Sequence, residues 1–162
     1  MDADALVKLT KAGAKELIVE AFEIVIPEAV EAEIVGEGRD AEYADASLIA
    51  ENVRLGRIAV EPALREDLSF PGCIVGGDRA VLNHSLRGGY AVVVTDDAAL
   101  LRRLKGLGVS ATLPAALLLA AGRRRRLSGR RVGELLEALR PHISSEEYVT
   151  CLLKLEGRYP RR

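Results

Sequence analysis

Apolar positions along the chain fall into short runs whose period switches between helix and strand. Ala5–Leu9 can begin a helix, with Asp4 placed to cap it, and residues 11–22 set Leu17, Ile18 and Ala21 on one helical side. Glu23–Ile26 is β-branched and predicts a buried strand. Pro27 stands where helices open, so Pro27–Val35 predicts a helix broken by Gly36-Glu37-Gly38. A long helix over Asp40–Leu55, a strand over Arg57–Glu61 and a polar loop over Pro62–Gly72 follow. Gly76-Gly77 opens a helix over Asp78–Leu86, closed by Gly88-Gly89. Tyr90–Thr95 is the clearest strand pattern in the chain. A helix over Asp97–Leu107, a strand over Val109–Thr112, and helices over Pro114–Ala121, Val132–Leu139 and Ser145–Leu155 complete the pattern. Strands separated by helices predict an α/β sandwich with a mainly parallel sheet.

Composition narrows this picture. The 162 residues, 49% of them apolar, suit one domain with a real core rather than a disordered chain. The longest apolar run, residues 113–121, is far short of the ~20 residues of a membrane span. The acidic start Met1-Asp2-Ala3-Asp4 is unlike a signal peptide, so a cytoplasmic location is expected. Cys73 and Cys151 form no CxxC pair, which argues against a zinc site or a disulfide framework. Many charges, no Gln and two Asn suggest a thermophile, although GC-rich coding would also favour Arg and Ala.

The formal net charge of −1 hides an uneven distribution. Residues 1–50 carry a net −8, residues 51–100 a net −2 and residues 101–162 a net +9. Several acids fall where a parallel sheet collects its ligands, at the carboxyl ends of strands. Asp96 and Asp97 follow Tyr90–Thr95, and Asp2 and Asp4 precede the first helix. On the helix after Pro27, Ile26, Val30 and Ile34 define a buried stripe. Glu33 lies about 60° from it, Glu31 about 100° and Glu28 about 160°, so Glu33 is expected to border the core. Asp78 shares a face with Val81, Leu82 and Ser85 and is expected to point inward.

Singly, an acid at a helix start is ordinarily a cap. Four acids converging on one pocket would repel one another, and Mg²⁺ or Mn²⁺ would relieve that repulsion. Behind them, Arg102, Arg103 and Lys105 share a helix with core-facing Leu100, Leu101 and Leu104. Arg123, Arg124, Arg125 and Arg126 form a run joined by Arg130 and Arg131. Arg123 and Arg124 also complement a helix C-terminus, but the cluster as a whole fits nucleic acid or an acidic protein. With two Phe and four Tyr, base stacking is not expected to carry recognition. His84 is placed away from the apolar neighbours of Asp78, His142 follows a proline, and neither has a nucleophile partner.

These segments resemble the PIN-domain family, which includes VapC-type toxin ribonucleases and many archaeal proteins. Asp2–Leu9 (DADALVKL) is similar to the family's first motif and Ile26–Ile34 (IPEAVEAEI) to its second, with Glu33 as the acid. Gly76–Val81 (GGDRAV) resembles the third, with Asp78 where Glu is commoner, and Val92–Leu100 (VVVTDDAAL) the fourth, with Asp97 as the acid. Only Met1 precedes Asp2, so the strand expected before the first acid is either a stub or upstream. The motifs cover about residues 1–112, and Thr112–Ala120 and the segment ending Tyr148–Gly157 resemble the tail of a PIN-like subgroup.

The resemblance implies a PIN-like three-layer α/β/α sandwich over residues 1–122, with a basic helical extension over residues 123–162 packed on it. It implies a metal-dependent endoribonuclease with Asp2, Glu33, Asp78 and Asp97 as catalytic, Mg²⁺- or Mn²⁺-binding acids. Asp4, Thr95 and Asp96 would support them, RNA would be the substrate held by the arginines, and an antitoxin-like protein and a second copy of the chain are the partners expected. The alternative is a PIN-fold module that binds RNA or protein with an incomplete metal shell. A haloacid-dehalogenase-like phosphatase would explain Asp2-x-Asp4, but there is no Lys between Lys15 and Lys105 to complete its site.

Overall fold

The computed structural model describes residues 1–37, 44–64 and 75–157. Helix α1 spans Ala3–Lys11 and is capped by Asp2, whose Oδ1 accepts the amide of Ala5 at 2.7 Å. Asp4, expected to cap this helix, instead lies exposed in its first turn. The single helix expected over residues 11–22 is divided. Gly13, at φ +67°, turns the chain, and the amides of Gly13 and Ala14 bond back to Thr10 and Leu9 before α2 (Lys15–Ala21) begins.

Strand β1 (Ile24–Pro27) is largely buried and takes in Pro27, which the sequence pattern assigned to a helix start. Helix α3 (Glu28–Glu37) follows directly, running through Gly36 and Glu37 where a break was expected. Helix α4 covers Ala44–Arg54, and the expected start at Asp40 lies outside the described residues. Strand β2 (Ile58–Glu61) runs parallel to β1, with Ile24 opposite Ile58 and Pro27 opposite Glu61. Most of the expected loop at 62–72 also lies outside the described residues.

Helix α5 (Gly76–Arg87) leads to β3, which contains only Val93–Val94. Helix α6 (Ala98–Gly106) and β4 (Ala111–Thr112) follow, with β3 and β4 parallel. The six-residue strand expected at Tyr90–Thr95 is cut short because its partner is short. Val109 still closes α6 by bonding Leu104, and Pro114, which has no amide hydrogen, already opens α7 (Pro114–Arg124). Two C-terminal helices, α8 (Gly129–Leu139) and α9 (Ser145–Leu155), pack on α7, and α8 also reaches α1.

The central parallel sheet expected from the sequence takes the form, among the described residues, of two separate two-stranded pairs. The first two residues bridge them. The nitrogen of Met1 donates to Val25 O at 3.0 Å, and the amide of Asp2 donates to Val94 O at 3.2 Å. Residues 1 and 2 therefore stand between β1 and β3, where a further strand would belong. Leu6 and Leu9 of α1, Ile26 of β1, Leu82 of α5, Leu100 and Leu104 of α6, Leu118 of α7 and Leu136 of α8 are fully buried in one continuous core. Burying a Leu or Ile side chain is worth roughly 1.5–3 kcal/mol, so this core fixes where the helix starts stand. No helix among the described residues is long and apolar enough to cross a membrane.

Candidate functional site

The starts of α1, α5 and α6 and one face of α3 and α4 surround a cleft of about 790 Å³. Its lining includes Asp2, Glu33, Asp78 and Asp97, so the fold brings all four sequence-selected acids to one place. Asp4 and Asp96 line it too, as does Asp45 of α4, which no local pattern had singled out.

Each acid is held differently. Asp2 is buried, and burial is the main reason its carboxyl is pushed up from 3.8 to about 6. Hydrogen bonds from the Thr95 hydroxyl and the Ala5 amide oppose that rise, while the charge of Asp78 adds to it. Asp97 caps α6, its Oδ1 accepting the amide of Leu100 at 2.6 Å. Thr95 is completely buried, and its Oγ1 accepts the amide of Asp97 at 3.1 Å. One hydroxyl thus ties Asp2 to the turn that carries Asp97, while Asp97 itself is the helix cap.

Glu33 corrects an expectation. It does not border the core but lies exposed on the cleft wall, with Val30 and Ile34 of the same helix buried. Its Oε1 accepts the amide of Gly77 at 2.6 Å, because its long side chain reaches across to the start of α5. Asp78 is half-buried, as its helical face required. Its carboxyl is raised first by burial, then by the charges of Asp97, Glu33 and Asp4. The acids of this cleft feel one another.

Cations at the cleft come from α1. Lys8 Nζ lies 2.6 Å from both Asp4 Oδ2 and Asp96 Oδ2. Burial alone would lower the Lys8 ammonium, but those two hydrogen bonds outweigh it and raise the group above its usual value. Lys11 lines the cleft and is exposed. The i,i+4 spacing of Asp4 and Lys8 was visible in the sequence as a helix-face ion pair, but its reach to Asp96 was not. Glu147 of α9 is buried behind this group and accepts the amide of Ala115 at the start of α7 at 2.7 Å. Burial raises its carboxyl.

The arginines lie elsewhere. Arg123–Arg126, Arg130 and Arg131 are exposed around the end of α7 and the start of α8. Arg125 pairs with Glu20 of α2 at 3.1 Å, Arg124 stacks over Phe22, and Arg131 pairs with Glu134 at 3.0 Å. Ala115, at the other end of α7, is the residue tied to Glu147 and so to the Lys8 group. At 1.5 Å per residue, α7 carries its arginines roughly 15 Å from that end. The arginine run expected to hold RNA therefore lies at the end of α7 opposite Ala115. Arg102 is exposed on α6, whose first turn Asp97 caps. His84, expected on a face away from the apolar neighbours of Asp78, is itself buried, with Nδ1 2.9 Å from Ala80 O and Nε2 3.2 Å from Pro62 O.

The donor set is all carboxylate, which suits a hard, hydrated divalent cation such as Mg²⁺ or Mn²⁺. Among the described residues, no three His, Cys, Asp or Glu side chains stand close enough to form a ready-made shell. Mg²⁺ keeps several waters and commonly binds protein through one or two carboxylates, so the acids present fit such an ion.

Parallel strand pairs wrapped in helices, with acids gathered where the strands end, define an α/β protein with a carboxylate cleft. The chain belongs to the PIN-domain family: the model of the family DUF3368, described as a PIN domain, matches residues 1–156. Its fold is therefore a nuclease-type fold. No curated protein and no solved structure matches the chain.

Proposed function

We propose that this protein is a divalent-metal-dependent endoribonuclease of the PIN type. The observation that carries the reading is Asp78, whose carboxyl is raised by burial and by the charges of Asp97, Glu33 and Asp4 across one cleft. Carboxylates brought together at such cost suit a site meant to receive a cation. Asp2, Glu33, Asp78 and Asp97 would hold it, and when bound it would supply an activated water and charge neutralisation at a phosphodiester. Thr95 orients Asp2 and the Asp97 turn, and Lys8 pairs with both Asp4 and Asp96 at the cleft. Lys11 offers an ammonium to a phosphate entering the cleft. Arg102 and Arg103 on α6, and the arginines of the α7–α8 turn, would contact RNA further along the strand. A cognate antitoxin-like protein and a homodimer belong to the same proposal.

The test is cleavage of single-stranded and structured RNA with Mg²⁺ or Mn²⁺, with chelator, and with Asp97→Asn. Cleavage that needs metal and disappears in the variant supports the reading, and cleavage that persists in the variant overturns it.

A second reading, a PIN-fold module that binds without cutting, is favoured by one observation: Asp2 and Asp97 each already spend a carboxylate oxygen capping a helix. Titration with Mn²⁺ separates the two, since no binding at millimolar concentration would leave only the binding module.

A further inference from the structure

Helix α5 starts without a cap of its own. Its N-cap residue is Val75, which makes no side-chain hydrogen bond. The amide of Gly77 instead binds Glu33 from α3 at 2.6 Å. The fit depends on missing side chains. A Cβ on Gly77 would stand 2.5 Å from Glu33 Oε2 and 3.0 Å from its carboxyl carbon. A Cβ on Gly76 would stand 2.5 Å from Glu33 Oε1. The two carboxylate oxygens thus fill the space that ordinary side chains would take. Gly76 is needed for its backbone as well, with φ at +58°, but Gly77 has no such requirement. Helix propensity alone would favour alanine over glycine there.

We infer that Gly77 is a positioning residue: its amide and its bare Cα seat the Glu33 carboxylate at the start of α5, beside Asp78. This rests on the reading of Glu33 and Asp78 as metal-binding acids. The positive end of a helix favours a carboxylate, and the two bare glycines leave room for it against the backbone. Without the cradle Glu33 is an exposed side chain on α3, free to turn into solvent and away from the other acids.

Gly77→Ala is a clean probe, because what it meets is the far end of a flexible side chain and not backbone. The variant should fold, with the carboxylate displaced. The experiment compares wild type, Gly77→Ala, Glu33→Ala and the double variant, by calorimetric Mn²⁺ titration and by thermal midpoint without metal. Gly77→Ala should weaken Mn²⁺ binding by about 10–100-fold, the usual effect of losing a group that orients a ligand. Glu33→Ala should do the same, and the double variant should bind no worse than either. In the Glu33→Ala background the added methyl is relieved of its three nearest contacts, all of them atoms of the Glu33 carboxylate. There Gly77→Ala should raise the melting midpoint by about 2–4 °C, a gain absent in the wild-type background. Wild-type Mn²⁺ affinity in Gly77→Ala, or losses that multiply in the double variant, would overturn the inference. If the wild-type chain binds no Mn²⁺, the proposed function fails. The melting cycle alone then decides: non-additivity upholds the seat, and equal effects of Gly77→Ala in both backgrounds remove it.

Discussion

The acidic cleft and the seam between α7 and α8 solve opposite problems with the same kinds of residue. In the cleft, carboxylates share space with one another: Asp2 is driven up to about 6, and Asp78 is raised by burial and by its neighbours. At the seam, acids meet cations, as in Arg131 with Glu134 and Arg125 with Glu20, and these pairs stay in solvent. Beneath them the seam is apolar and close-packed, with Val132, Leu135 and Leu136 buried. A Cβ on Gly122 of α7 would stand 2.4 Å from a methyl of Val132 on α8. The seam therefore adds packing to the core, while the cleft gathers like charges that oppose one another. Stability and chemistry are separated along α7. Its first turn is tied through Glu147 to the Lys8 group, and its last turn carries the arginines.

That contrast can be broken at either end. The largest effect is expected from Asp97→Asn, which should cut metal-dependent RNA cleavage by on the order of 10²–10³-fold. Its thermal midpoint should hardly move, because Asn caps a helix about as well as Asp. Steady-state cleavage and a melting curve check both halves. Gly122→Ala should do the reverse, costing about 1–3 kcal/mol by overpacking against Val132 and leaving Mn²⁺ affinity unchanged at temperatures where the variant is folded. Chemical denaturation reads that loss. Gly106→Ala on α6, where an added Cβ meets nothing within 4 Å, is the control that should not destabilise.

A smaller effect sharpens the comparison inside the cleft. Asp78→Asn removes a charge that burial and three neighbouring acids oppose. The metal-free midpoint should rise, and the upward shift on adding Mn²⁺ should shrink or vanish, as thermal shift with and without chelator would measure. The smallest effect is expected at the seam's surface. Arg131→Ala breaks an exposed pair with Glu134 and should change stability by less than about 1 kcal/mol. If that arginine touches RNA, the slope of log affinity against log salt should fall by about 0.7 for a single strand. An unchanged slope would remove it from the RNA-binding surface.

Much of the cleft was legible before the structure because most of its acids sit at local landmarks. Asp97 follows a strand, Asp78 shares a helical face with Val81 and Leu82, and Asp2 precedes the first helix. Such positions obey local rules: strand ends in parallel sheets collect ligands, and helix periodicity decides what faces inward. Glu33 was selected by the same periodicity, yet its setting was misread. A wheel gives an angle, not the reach of a side chain toward another helix. Asp45 was missed for a related reason, since nothing in its own segment separates it from other acids of the first 50 residues.

The order of helices and strands, the apolar stripes that build the core and the four acids that mark the cleft are all written in the linear chain. They follow from periodicity and from residue chemistry, which act over a few neighbours. Four relations came from three-dimensional packing alone. Residues 1 and 2 bridge the two strand pairs, Lys8 reaches Asp96, Glu33 rests on Gly77, and the arginine run lies at the far end of α7 beside Glu20. The last three join residues 88, 44 and 105 positions apart, and the first hangs on backbone bonds from residues 1 and 2 to two different strands. They depend on how helices pack around a core, and packing is a property of the whole chain.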